Sequence, residues 1–209
     1  MKMKYRRRIA TMILAWGVIL TALSGYVFAK YVKVVPFEEK VTIRAEIGTL
    51  VLQEHKVERR PDGSYTLLTG NENLVLSGPG TANAYTLIPG LDVPKDPHVV
   101  ITKPNNLPVY VYVEVVSKLP STITFELADG WTKVDGVTAP NGGTVYAYNT
   151  AITADETIHI LKKDGNGNSI FVSQKLLSGD TTGIELDFYA YMYQTAAGGN
   201  VAEVFKHYN

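Results

Sequence analysis

Apolar and polar residues alternate with a period of two over much of this chain, and the alternation is broken at short intervals by proline, glycine and asparagine. Side chains at every second position share one face of an extended strand, so this pattern predicts β-structure. Two runs are long. From Val109 the valines Val109, Val111, Val113 and Val115 fall on one face and Tyr110, Tyr112 and Glu114 on the other, predicting a central strand buried on its valine face. From Ile184 to Gln194, the residues Ile184, Leu186, Phe188, Ala190 and Met192 oppose Tyr189, Tyr191 and Tyr193. Val41, Ile43, Ala45 and Ile47 alternate with Thr42, Arg44 and Glu46, and the run continues through Gly48 to Leu52. Shorter strands are expected at Tyr65–Leu68, Leu74–Leu76, Val99–Ile101, Ile123–Leu127, Thr144–Tyr148 and Ile170–Val172.

The punctuation between these runs is specific. Arg60-Pro61-Asp62-Gly63 is a turn signal, and Ile88-Pro89-Gly90-Leu91 fits a type II turn, proline fixing φ and glycine taking the positive φ that follows. Asp164-Gly165-Asn166-Gly167-Asn168 separates two apolar runs and reads as a hairpin tip. Pro94, Pro97, Pro104 and Pro108 form a stiff approach to the Val109 strand, setting its register and discouraging stray edge pairing. Asn200 is placed to cap a short helical turn over 201–207, with Glu203 as its third residue. Many short strands at this spacing predict an all-β, antiparallel, jelly-roll-like β-sandwich.

The first 29 residues differ from the rest. Lys2, Lys4, Arg6, Arg7 and Arg8 precede an uncharged stretch, Ile9 to Ala29, that ends in Val27-Phe28-Ala29. A basic start, an apolar middle and a small residue at the cut describe an export signal cleaved after Ala29. The competing reading is an uncleaved anchor, since 21 uncharged residues can span a bilayer. The chain is therefore divided into a signal segment, 1–29, an N-terminal extension, 30–45, and a β-sandwich domain, 46–209, with a secreted or cell-surface location.

Removing the signal takes five of the 20 basic residues and none of the 20 acidic ones, leaving 15 against 20, a net of −5. An acidic domain repels a phosphate backbone, so nucleic acid is not an expected partner. There is no cysteine, so packing alone must hold the exported domain.

Catalytic signatures are missing. His55, His98, His159 and His207 are far apart in sequence and none lies in a zinc-protease frame. Glu54-His55 and Asp155-Glu156 read as solvated strand ends or loop positions. Asp164 to Asn168 begins like a calcium loop, but Ser169 stands where the sharp-turn glycine belongs and Lys175 where a bidentate glutamate is needed. No catalytic, cofactor or metal residue is expected. The 13 tyrosines either supply exposed aromatic rows for polysaccharide or protein, or simply suit half-buried strands.

Several of these segments together resemble the TasA/camelysin-like proteins of Gram-positive bacteria. The resemblance rests on Gly25-Tyr26-Val27-Phe28-Ala29, on Ile47 to Leu52, on Leu87 to Pro97, on Val109 to Val115 and on Tyr189 to Gln194. It implies an exported jelly-roll subunit that polymerises head to tail into fibres of a biofilm matrix, its partners being further copies of itself and other matrix proteins or polysaccharide. It also implies that the N-terminal strand of one subunit completes a sheet of the next. Some members are described as casein-cleaving metalloproteases, an activity no motif here supports.

Residues 30–45 agree with that implication. Val32, Val34, Val35, Phe37, Val41 and Ile43 are too apolar for a solvated tail. They must be tucked into their own sandwich or lent to a neighbour by β-addition. Pro36 interrupts the run, so pairing starts after it or stops before it. The expected function is a structural fibre subunit with no enzymatic activity. The alternatives are a monomeric surface adhesin or carbohydrate-binding module that uses tyrosine faces, and a secreted metalloprotease.

Overall fold

The structure is a computed structural model that describes residues 48–77, 83–103, 105–177 and 183–194, together with Phe205. The chain divides into two compact units, 1–33 and 34–209. All described residues belong to the second. Ala29, the candidate donor residues Val32, Val34, Val35, Phe37, Val41 and Ile43, and the expected helical turn other than Phe205 lie outside them.

Among the described residues twelve strands follow in order: β1 (Thr49–His55), β2 (Val57–Arg59), β3 (Tyr65–Leu67), β4 (Leu74–Leu76), β5 (His98–Thr102), β6 (Val109–Ser117), β7 (Ile123–Phe125), β8 (Trp131–Lys133), β9 (Thr144–Tyr148), β10 (Glu156–His159), β11 (Ile170–Val172) and β12 (Leu186–Gln194). They pair antiparallel throughout, in two four-stranded sheets ordered β10-β5-β1-β4 and β12-β6-β9-β8, with two ribbons, β2-β3 and β7-β11. The chain is an all-β antiparallel sandwich, as the alternation requires.

The alternation decides which side chains meet between the sheets. Leu50, Leu52, Val99, Ile101 and Ile158 from the first sheet pack with Val109, Val111, Val113, Val115, Phe188, Ala190 and Met192 from the second in one buried cluster. Burying each such side chain contributes roughly 1.5–3 kcal/mol. The opposite face of β6 and β12 is buried as well. Tyr112, Tyr191 and Tyr193 pack around Phe205 with Val134, Val145 and Ala147 in a second cluster. These three tyrosines are therefore core residues and form no exposed aromatic row.

Glu114 lies on that second face, fully buried. Its carboxylate accepts from the backbone N–H of Asn141 and of Gly143 at 2.8 Å each, from Asn141 Nδ2 at 2.9 Å and from the Tyr191 hydroxyl at 2.7 Å. Four donors replace the lost water around the charge. Gly143 makes this approach possible: a Cβ there would sit 2.6 Å from the Val115 carbonyl oxygen.

The turns follow their sequence signals. Leu91 N–H donates to the Ile88 carbonyl at 3.0 Å with Gly90 at φ +76°, as a type II turn demands. Gly63 N–H donates to the Arg60 carbonyl at 2.9 Å and closes the β2-β3 hairpin. The Asp164–Asn168 segment departs from expectation. It turns tightly, with Asn168 carbonyl accepting from Asp164 N–H at 2.8 Å, but its arms do not form a hairpin. β10 pairs with β5, whereas β11 pairs with β7 and Ile170 also bridges Val93. The apolar Ile158 and Ile170 are each drawn to a different sheet of the core, which outweighs the local turn. Asp164 Oδ1 accepts from the N–H groups of Asn166 and Asn168, so this carboxylate stabilises the loop itself.

Candidate functional site

Three of the four histidines meet on the outer face of the first sheet. In the register of that sheet Gln53 faces His98, and His98 faces His159. A period of two puts His55 on the same face as Gln53. The rings of His55 and His98 lie with centroids 5.6 Å apart, and those of His98 and His159 5.5 Å apart. The expectation that the histidines stay apart fails because strand pairing is non-local. β5 sits between β1 and β10, so residues 43 and 61 positions distant become neighbours.

The fourth participant comes from the proline-rich approach. Asp96, between Lys95 and Pro97, runs alongside the end of β1. Its side chain is 2% exposed. Asp96 Oδ1 accepts from the His55 backbone N–H at 2.9 Å, and Oδ2 accepts from His55 Nδ1–H at 2.7 Å. Its backbone carbonyl accepts from His98 Nδ1–H at 2.9 Å. That bond fixes the His98 tautomer and leaves the Nε2 lone pair, which takes a hydrogen bond from the Gln53 amide at 3.2 Å. Lys163 brings its ammonium to 3.6 Å from Asp96 Oδ2. Burial first, then the charges of Lys163 and His98, hold His159 below the usual histidine range.

One residue back along each segment, the opposite face carries a second contact. Glu54 points inward, wholly buried, and its carboxylate lies 2.9 Å from Lys95 Nζ. The other Glu54 oxygen accepts from Asn83 N–H at 2.8 Å. The Lys95 ammonium stands 5.8 Å and 5.9 Å from the ring centroids of Tyr85 and Phe188. The Ser169 hydroxyl accepts from the Lys95 backbone N–H at 3.0 Å and donates to the Lys95 carbonyl. The reading of Glu54-His55 as a solvated strand end is thus corrected. β1 extends to His55, and both side chains are engaged by residues 95–96, one on each face. Asp155 and Glu156 are exposed, as expected.

His55, Asp96 and His98 each offer one donor atom, all within 4.8 Å of one another, and these three could hold a metal ion. Sequence reasoning missed this trio. The local hint was two x-separated pairs, Gln53-x-His55 on one face of β1 and Asp96-Pro97-His98 leading into β5. The sheet order that joins the pairs has no local signal. No family model, curated protein or solved structure matches the chain.

Proposed function

We propose that the chain is an exported structural subunit that assembles head to tail into extracellular fibres, without enzymatic activity. The segment 30–45 of one copy adds as a strand to a sheet of the next. The observation that supports this reading is the open form of both main sheets. Among the described residues they end at β10 and β4, and at β12 and β8, and do not close into a barrel. A sheet end is a main-chain template for another strand. Val32 and Val34 before Pro36, with Val35 beside them, or Phe37, Val41 and Ile43 after it, supply the apolar side chains such a strand needs. The resemblance to the TasA/camelysin-like family points the same way. A contact of this kind is heterologous and repeats without closing, so it yields fibres.

Burial of Tyr112, Tyr191 and Tyr193 takes the central tyrosines out of any glycan-binding row and weakens the adhesin alternative. The test compares residues 30–209 with residues 46–209 by negative-stain electron microscopy. The longer form is expected to give filaments and the shorter to stay monomeric, with a peptide of residues 30–45 capping growth of the longer form. Filaments from the shorter form at equal yield would remove the donor-strand reading.

A further inference from the structure

We propose that His55, Asp96 and His98 form a binding site for a divalent first-row transition metal ion, with zinc the best-matched of them. This goes beyond the fibre reading and does not depend on it. Two imidazoles and one carboxylate are a borderline-soft donor set, suited to zinc and its neighbours and poor for calcium or magnesium, which prefer oxygen alone.

Three features go beyond mere proximity. First, His98 is oriented as a metal-binding histidine is. Its Nδ1–H is held by the Asp96 backbone carbonyl, so Nε2 keeps its lone pair, which the Gln53 amide now occupies. Second, the His55 Nδ1 and Asp96 Oδ2 atoms already lie 2.7 Å apart, bridged by one proton. An ion takes the place of that proton, and of the Gln53 amide at His98 Nε2. Donor atoms on a tetrahedral zinc ion with bonds of 2.0–2.1 Å lie roughly 3.3 Å apart. The trio, within 4.8 Å, therefore reaches that spacing by side-chain rotation alone. Third, the backbone is stiff where it must be. Pro94 and Pro97 bracket Asp96, and β1 and β5 are paired from Thr49↔Thr102 to Gln53↔His98. The His55 side chain is 24% exposed, so the ion has a path from solvent and room for water as a further ligand. Lys163, 3.6 Å from Asp96 Oδ2, opposes a cation and keeps the affinity moderate.

The experiment uses the full chain, stripped with chelator and titrated with zinc by calorimetry in mild detergent. One ion per chain is expected, with micromolar affinity or tighter. His98→Gln and His55→Gln each weaken binding roughly a hundredfold or more, because a ligand is lost. Lys163→Gln, a change at a part-exposed side chain that leaves the core alone, tightens binding roughly five- to tenfold by removing the opposing charge. X-ray absorption at the zinc edge of the loaded wild-type chain needs no variant and is expected to show two imidazoles in an oxygen and nitrogen shell. Absence of saturable binding, wild-type affinity in either histidine variant with retained circular dichroism, or a zinc shell with fewer than two imidazoles would each overturn the assignment. So would unchanged or weaker binding in Lys163→Gln. A histidine variant that loses its circular dichroism leaves the decision to the absorption spectrum and to Lys163→Gln.

Discussion

Lys95 and Glu54 form an ion pair at 2.9 Å with side chains only 7% and 0% exposed, joining the end of β1 to the proline-rich approach inside the sandwich. Their sequence neighbours His55 and Asp96 repeat the contact on the outer face at 2.7 Å. Two adjacent residues on each segment thus clamp it from both sides.

Removing one member of a buried pair strands the other charge in a low-dielectric interior. Lys95→Met is therefore expected to destabilise the domain by about 3–5 kcal/mol. Glu54→Gln with Lys95→Met together should cost far less than the two single changes added. Urea unfolding of all four forms measures the coupling. Additive losses would mean that the two groups are independently solvated.

The Glu114 site gives a second measure of buried charge. Tyr191→Phe deletes the hydroxyl that donates to the Glu114 carboxylate at 2.7 Å while keeping the ring against Phe205. A hydrogen bond to a charged group is worth roughly 1.5–3 kcal/mol, and that loss is the expectation for chemical unfolding. Gly143→Ala should be worse than this, since its Cβ meets the β6 backbone, which cannot withdraw without unpairing β6 from β9. A neutral Gly143→Ala would show that the close approach is relaxed in solution.

The two long strands were legible because their alternation is strict and their valine and tyrosine faces differ. The turn at Gly90 was legible because only a few residues tolerate its φ. Pairing was not. Whether the arms of the Asp164 turn hold each other or part is decided by which sheet has room for Ile158 and Ile170, and that information lies elsewhere in the chain. The same limit hid the histidine corner, where three strands and a loop contribute one or two residues each. Glu54 was misread for a different reason. A carboxylate on an apolar strand looks like a strand end until its buried cation, 41 positions away, is known.

High pH should reveal the buried phenols. Burial, and then the charges of Glu54 and Asp96, push Tyr85 far above the ordinary tyrosine value. Burial with Tyr193 and Tyr110 does the same to Tyr112, and burial with the Glu114 contact to Tyr191. Because the folded values lie above the unfolded value of about 10, the unfolded chain releases these protons first. Their contribution to stability is complete below pH of about 10 and is lost as the pH rises toward the folded values. Absorbance at the phenolate band should show Tyr85, Tyr112 and Tyr191 staying protonated past the main titration and ionising in the same step that abolishes near-ultraviolet dichroism. Ionisation of every tyrosine in one transition centred at the ordinary value, with the fold intact, would refute this.

A last expectation concerns a polar group the fold does not use. The Thr122 hydroxyl is closed off from solvent and has no hydrogen-bond partner among the described residues. Its neighbours leave it no role: the Thr122 backbone carbonyl accepts from Ser173 N–H at 2.9 Å, and Ile123 beside it is buried in the core. Burying an unsatisfied hydroxyl costs about 1–3 kcal/mol, whereas a methyl in the same volume costs nothing and adds apolar contact. Valine has the same branched shape and the stronger preference for a strand entrance. Thr122→Val should therefore raise stability by about 1 kcal/mol, a gain visible as a later urea midpoint at unchanged slope. A loss of similar size would show that the hydroxyl finds a partner in solution, a bridging water being the simplest one.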